Sequence, residues 1–200
     1  MRHRTADLFA SCAGSSAAEF ALVLPLLLVF LFGIIDGGRF IWEYNRAEKA
    51  TQMGTRFAVV TDPVAPGLFS YKFTSDGLGA GDLIPASELG TITCNSTSCS
   101  CTSGTCPAGT GAPTGAWTAL VTRMRQIDPN ISADNVQVQY QGSGLGFAGN
   151  PSGMDIEPIV TVKLSGLQFT PLTTLTLASF TMPDFHAALT AEDSEGSQSN

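Results

Sequence analysis

The chain has 200 residues, 44% of them hydrophobic and only 14% charged, with a formal net charge of −7. That length supports one ordinary domain with its own core, and the charge pattern excludes a nucleic-acid footprint, because basic residues are scattered singly and form no stripe that could track phosphates. Apolar and polar residues are segregated along the chain, as in an anchor followed by an ectodomain and unlike a uniform cytosolic enzyme.

The chain opens with Met1-Arg2-His3-Arg4 and leads into residues 20–35, which carry no charged or hydrogen-bonding side chain. At ~1.5 Å per residue that run is about 24 Å long as a helix, slightly less than the ~30 Å of a bilayer's hydrocarbon core. Flanking residues must therefore help it span, and Trp42 and Tyr44 are suitable interfacial aromatics. Arg2 and Arg4 favour a cytoplasmic N-terminus, although Arg39, Arg46 and Lys49 weaken the asymmetry. Pro25 has no N–H for the carbonyl of Ala21, which predicts a modest kink. Asp36 and Arg39 stand at i, i+3 and Arg39 and Glu43 at i, i+4, so local ion pairs can accompany the helix out of the apolar layer. Three readings compete: a removed signal peptide, an uncleaved anchor, and a segment cut on the cytoplasmic side whose helix stays attached. A signal peptide is disfavoured by the long, acid-containing lead-in and by Asp36 and Arg39 crowding the small residues 33–38.

Gly14-Ser15-Ser16-Ala17-Ala18-Glu19-Phe20 resembles the processing site of Flp-type prepilins, where a Gly is followed five residues later by Glu and then an aromatic residue. The following Ala-Leu-Val-Leu-Pro-Leu-Leu-Leu, then Phe32-Gly-Ile-Ile-Asp36-Gly-Gly-Arg39, is similar to the opening of TadE-like proteins of the tight-adherence (Flp) pilus system. In that family an acidic residue, a Gly and an Arg typically close the apolar helix. The likeness covers about residues 14–60, with a departure at Gly37, where family members often carry a larger apolar residue. The resemblance implies a minor pseudopilin, a membrane-anchored structural subunit involved in pilus assembly. It implies cleavage between Gly14 and Ser15 by a dedicated prepilin peptidase, so that Arg2, Arg4, Asp7 and Cys12 leave with the leader. It also implies that Glu19, beside Phe20, meets the N-terminal amine of a neighbouring subunit, since a carboxylate at the edge of hydrocarbon is costly unless paired. The plainer reading is that Glu19 marks the cytoplasmic interface. The partners implied are the peptidase, other pilins and pseudopilins packing through the N-terminal helix, and the bacterial inner membrane. That membrane would be crossed once, N-terminus cytoplasmic and C-terminal domain periplasmic, with incorporation into surface pili. The competing functions are a single-pass, disulfide-stabilised periplasmic or surface adhesion or binding protein, and a secreted ligand-binding domain.

Beyond the exit, Phe40, Tyr44, Ala47, Thr51, Gly54 and Ala58 recur at intervals of four and three, predicting that the helix continues with one narrow stripe of mostly small side chains. Thr61-Asp62-Pro63 ends it, because Pro disfavours helix at the preceding residue. Residues 61–115 read as mostly loop, too long for a compact domain unless stapled. Cys94, Cys99, Cys101 and Cys106 supply the staple if they lie in an oxidising compartment. Three connectivities remain open. A zinc site is the rival, but Cys99-x-Cys101 is tighter than the usual paired-cysteine spacing. Asn95-Ser96-Thr97 and Asn130-Ile131-Ser132 match glycosylation sequons, without meaning in a bacterial protein.

Trp117, Leu120, Val121, Met124 and Ile127 predict an amphipathic helix ended by Asp128-Pro129-Asn130. Val136, Val138 and Tyr140 alternate, as do Ile156, Ile159 or Val160, and Val162 to Leu164, predicting strands joined across the glycine-rich residues 141–153. Residues 167–182 resemble the TadE C-terminal pattern of a strand, a Pro-containing bend and a final strand. The tail with Glu192, Asp193 and Glu195 reads as solvated and frayed.

Catalysis has little to stand on. His3 lies in the leader and His186, beside Asp184, has no nucleophile elbow with it. Walker, HExxH and Rossmann motifs do not occur. Gly142-Ser-Gly-Leu-Gly lacks the strand–helix context that phosphate binding needs. Asp155 and Glu157 alternate along a strand entry and read as solvent-facing. No enzyme activity, cofactor or metal is expected. The expected fold is α+β and pilin-like: a transmembrane helix continuing into a periplasmic helix packed on a small antiparallel sheet, with a disulfide-stapled loop. Its parts are a leader (1–14), the long helix (15–60), a Gly/Cys-rich loop region (61–115), an α+β domain (116–190) and a disordered tail (191–200).

Overall fold

The computed structural model describes residues 15–172, 179–191 and 194–196. The chain divides into two compact units, Met1–Trp42 with Phe169–Phe180, and Glu43–Gln168 with Thr181–Asn200. Helix α1, Ser15–Val60, starts in the first unit, contains Pro25 without ending there, and stops directly before Thr61-Asp62-Pro63 as expected. The α+β class also holds: a long apolar N-terminal helix, a second helix and an antiparallel sheet.

In the second unit the predicted stripe on α1 is buried at Ala47, Thr51, Gly54 and Ala58. The buried face is wider than the stripe, taking in Ala50, Thr55, Phe57 and Val59, because more than one element covers these last turns. Three threonine hydroxyls bond back to the carbonyl four residues earlier: Thr51 donates to Ala47 O at 2.9 Å, Thr55 to Thr51 O at 2.9 Å, and Thr61, just past the helix, to Phe57 O at 2.8 Å. Helix α2, Ala116–Ile127, buries Trp117, Leu120, Val121 and Met124, the residues its periodicity marked. Gly54 lets the two helices approach: a Cβ built there would lie 2.8 Å from Met124 Cγ and 2.9 Å from its Sδ. Gly54→Leu is therefore expected to destabilise the unit by about 1–3 kcal/mol through overpacking. Thermal unfolding of the full chain in detergent reads this out, with Met124→Ala restoring part of the loss. An unchanged midpoint would show that the helices do not meet here.

The main sheet has strands β1 (Thr91–Cys94), β2 (Cys99–Ser103), β3 (Val136–Gln141), β4 (Ile159–Leu164) and β7 (Phe185–Thr190), in the order β2-β1-β3-β4-β7 with all neighbours antiparallel. Cys94 faces Val138, which faces Val162, and Ile92 faces Tyr140, which faces Val160. These two cross-strand rows are buried, whereas Gln137, Gln139, Thr161 and Lys163 alternate onto the more accessible face. One buried and one wetter face is the usual pattern of an antiparallel sheet. Tyr140, fully inside, accepts the Val64 N–H on its hydroxyl at 2.9 Å. Burial pushes that phenol well above its ordinary pKa, against the backbone N–H groups of Val64 and Ala65. α1 meets the far edge of the sheet through Tyr44 and Phe185, ring centroids 4.9 Å apart, and through Thr55, whose hydroxyl proton is shared between Thr51 O and, at 3.2 Å, Ala187 O.

The stretch expected to be mostly loop contributes the β1–β2 hairpin, which extends the sheet beside β3. Its strands are short and Ser/Thr-rich, so local periodicity did not disclose them. Asn95 builds the turn, its Oδ1 accepting the N–H groups of Thr97 and Ser98 at 2.9 Å each, so this sequon side chain has a structural use. The expected strand–bend–strand at 167–182 is a separate ribbon of β5 (Gln168–Phe169) and β6 (Phe180–Thr181). Its bend at 173–178 lies outside the described residues, and a further strand, β7, follows. Of the tail, Ser194 is buried and its hydroxyl donates to Val59 O at 3.3 Å, while Asp62 and Gly196 exchange two bonds, 2.8 and 2.9 Å. The described tail residues thus dock at the end of α1.

Candidate functional site

The described residues contain one helix long and apolar enough to cross a membrane, and none of its apolar window is buried in the molecule. A water-soluble core helix would hide such side chains. Here Phe20, Leu22 and Leu26 are 64%, 75% and 73% exposed. Gly14 lies outside the described residues, and Ser15 is the first residue of α1. Glu19 lies one turn further along on the exposed surface, with Phe20 directly after it. The expected cleavage point lies at the edge of the described residues, ahead of the apolar surface.

The other end of the apolar run is more elaborate than a local ion pair. Asp36 and Arg39 do pair, at 3.3 Å. Asp36 is nevertheless buried, at 8% exposure, and its Oδ1 also accepts the Leu172 N–H at 2.8 Å. Arg39 donates to the Thr170 carbonyl at 3.4 Å and stands 5.4 Å from the centroid of the Phe169 ring. Phe40, Phe169 and Phe180 form a cluster with centroids 5.4–5.6 Å apart. The acid, the base and the first aromatic after the apolar run thus hold the β5–β6 ribbon to the helix. Sequence reasoning missed Thr170, Leu172, Phe169 and Phe180 as partners. The signal that could have found them is that residues 164–183 carry no charge.

The four cysteines are brought together in two bridges, Cys94–Cys99 across the β1–β2 hairpin and Cys101–Cys106 from β2 into the following turn. The first is buried and the second is more exposed. Among the described residues no cluster of His, Cys, Asp or Glu could hold a metal ion. His186 lies in β7, opposite Lys163 of β4, and is exposed.

Asp155 corrects the sequence reading. It is buried, at 1% exposure, because the 142–158 connection folds back over it. Its carboxylate accepts Lys72 Nζ at 3.0 Å and the N–H groups of Phe73, Gly149 and Asn150 at 2.8–2.9 Å. Lys72 donates further to the carbonyls of Asn150 and Gly153, at 2.6 and 2.8 Å. Burial alone would push the Asp155 carboxyl up, but the Gly149 N–H, the Lys72 ammonium and the Phe73 N–H outweigh it and hold its pKa below the ordinary carboxylate value. Arg46 of α1 likewise has a structural use. It bonds the Ile127 carbonyl at 3.3 Å and the Asp128 carboxylate at 3.1 Å, closing the C-terminal end of α2.

No curated protein and no solved structure matches this chain. Residues 14–56 match the family of TadE-like proteins. The match begins at the proposed processing glycine, runs through the apolar window and the Asp36–Arg39 exit, and ends in the last turns of α1.

Proposed function

Taking residues 14–56 as the TadE-like segment of a tight-adherence pilus protein, we propose that this chain is a minor pseudopilin in the assembly of Flp-type pili. A prepilin peptidase cuts between Gly14 and Ser15, and the trimmed protein stays in the inner membrane. Its N-terminus is cytoplasmic and its disulfide-bonded domain periplasmic, a compartment that permits such bonds. It works by helix–helix packing with other pilins and pseudopilins and not by covalent chemistry. Glu19 meets the α-amino group of a neighbouring subunit.

The observation that carries this reading is the continuity of α1. One helix runs from Ser15 at the start of its exposed apolar surface to Val60 in the folded core. A cut before Ser15 leaves the whole apolar surface attached to the domain, as a subunit that docks laterally requires. A cut after the apolar run would instead divide α1. N-terminal sequencing of the protein from the membrane fraction tests this directly. Ser15 is the expected first residue. Met1 would favour an ordinary anchored binding or adhesion protein, and a start beyond Gly33 would indicate a secreted domain.

A further inference from the structure

The ribbon at the membrane exit has a surface that the assembly role does not use. Leu172 and Phe180 are 59% and 41% exposed although the Asp36 carboxylate and the ring cluster hold their segments against α1. On the helix, Ile41 and Trp42 of the same unit are also well exposed. No charged residue occurs in the sequence between Lys163 and Asp184. The Leu172 N–H is bonded to Asp36, the first polar side chain after the apolar run of α1. This places Leu172 at the level where α1 leaves the hydrocarbon. The Phe40 cluster lies four residues further, about 6 Å along the axis. Uncharged, aromatic-bearing surface at that depth matches the headgroup layer, where amphipathic and aromatic side chains concentrate.

From this we infer that the β5–β6 ribbon is a second membrane-contact element, with Leu172 and Phe180 seated in the lipid headgroup layer beside the exit of α1. The inference rests on the reading of α1 as a membrane span, whose surface the ribbon continues. Three details fit lipid as the occupant. The apolar run of about 24 Å falls short of a ~30 Å core, so additional apolar surface at its end is useful. Backbone polar groups are costly where water is scarce, and the Leu172 N–H is satisfied by Asp36 at 2.8 Å. Asp36 and Arg39 meet each other and the ribbon backbone, so their charges are screened from the lipid on that side.

Photo-crosslinking of the full chain in vesicles of phosphatidylethanolamine and phosphatidylglycerol tests the inference. Benzoylphenylalanine replaces Leu172 or Phe180, with Val29 as a probe within the span and Phe147, an exposed aromatic of the other unit, as background. Only protein with both disulfides formed is scored, which removes misfolded material. The expected result is lipid adducts at 29, 172 and 180, with the two ribbon positions several-fold above 147. Labelling at 29 with background at 172 and 180 would overturn the inference and leave the anchor standing. Protein–protein adducts in place of lipid at 172 and 180 would also overturn it, assigning the surface to a neighbouring subunit. No lipid adduct at 29 would remove the anchor and this inference together.

Discussion

Glu19→Ala protein is expected to be cut before Ser15 and retained in the membrane, while its incorporation into pilus assemblies falls at least about tenfold. An acid or a base at the centre of a membrane helix costs about 2.5–3.5 kcal/mol on insertion scales, and about half of that at the edge of hydrocarbon already amounts to a factor of ten in association, at about 1.4 kcal/mol per tenfold. On the proposed reading, processing creates an amine on Ser15, and lateral docking brings it to the Glu19 carboxylate of the next subunit. Removing the carboxylate leaves that amine uncompensated in the assembly. Glu19→Gln keeps the shape and removes the charge, so it should fail nearly as badly, whereas Glu19→Asp should retain part of the function. Crosslinking or co-purification with the partner pilins, alongside N-terminal sequencing, separates processing from docking. Normal incorporation of Glu19→Ala would leave Glu19 as a mere marker of the cytoplasmic boundary.

The second large effect is on stability. Asp155→Ala should lower the unfolding free energy of the second unit by about 3–5 kcal/mol, because it leaves three inward N–H groups without their acceptor and removes the ion-pair partner of Lys72. For a unit of this size that corresponds to a fall of about 10 °C or more in thermal midpoint. Asp155→Asn should be almost as damaging, since its amide NH2 would face existing donors. The pH dependence has a definite sign. The folded carboxyl titrates below its unfolded value of ~3.9. The folded state therefore holds the charged form more strongly, and the contribution is complete above about pH 5. It fades as pH falls through 4 and is lost below the folded pKa. Thermal melts of the full chain in detergent from neutral pH downward should show this fall, and Asp155→Asn should show less of it. A variant with wild-type stability and wild-type acid sensitivity would mean that the network contributes nothing.

Some of this protein was legible one residue at a time. The uncharged run at 20–35 was legible as a helix because a lone apolar segment of that length can satisfy its backbone in lipid only as one, and it lies within α1. The spacing of Trp117, Leu120, Val121 and Met124 named α2 and its buried face. The alternation of Val136, Val138 and Tyr140 named β3. Gly14, Glu19 and the Asp36–Arg39 exit pointed to the family that matches residues 14–56. All of these are local signals, carried by neighbours within a turn or two of chain.

Most of what the tertiary structure alone decided depends on residues far apart in sequence. Asp155 looks like a solvent-facing strand residue until Lys72 and Phe73, more than eighty positions away, close over it. Asp36 reads as half of an i, i+3 pair, and only the folded chain shows that Leu172 completes it. The cysteine pairing could not be chosen among three connectivities until the β1–β2 register set Cys94 opposite Cys99. The first two share one physical reason: periodicity reports which face of an element is apolar, whereas the partner of a buried polar atom is set by chain segments that meet only when the whole domain has packed. The bridges join cysteines only five apart, and what hid them was a Ser/Thr-rich hairpin whose register no local periodicity disclosed.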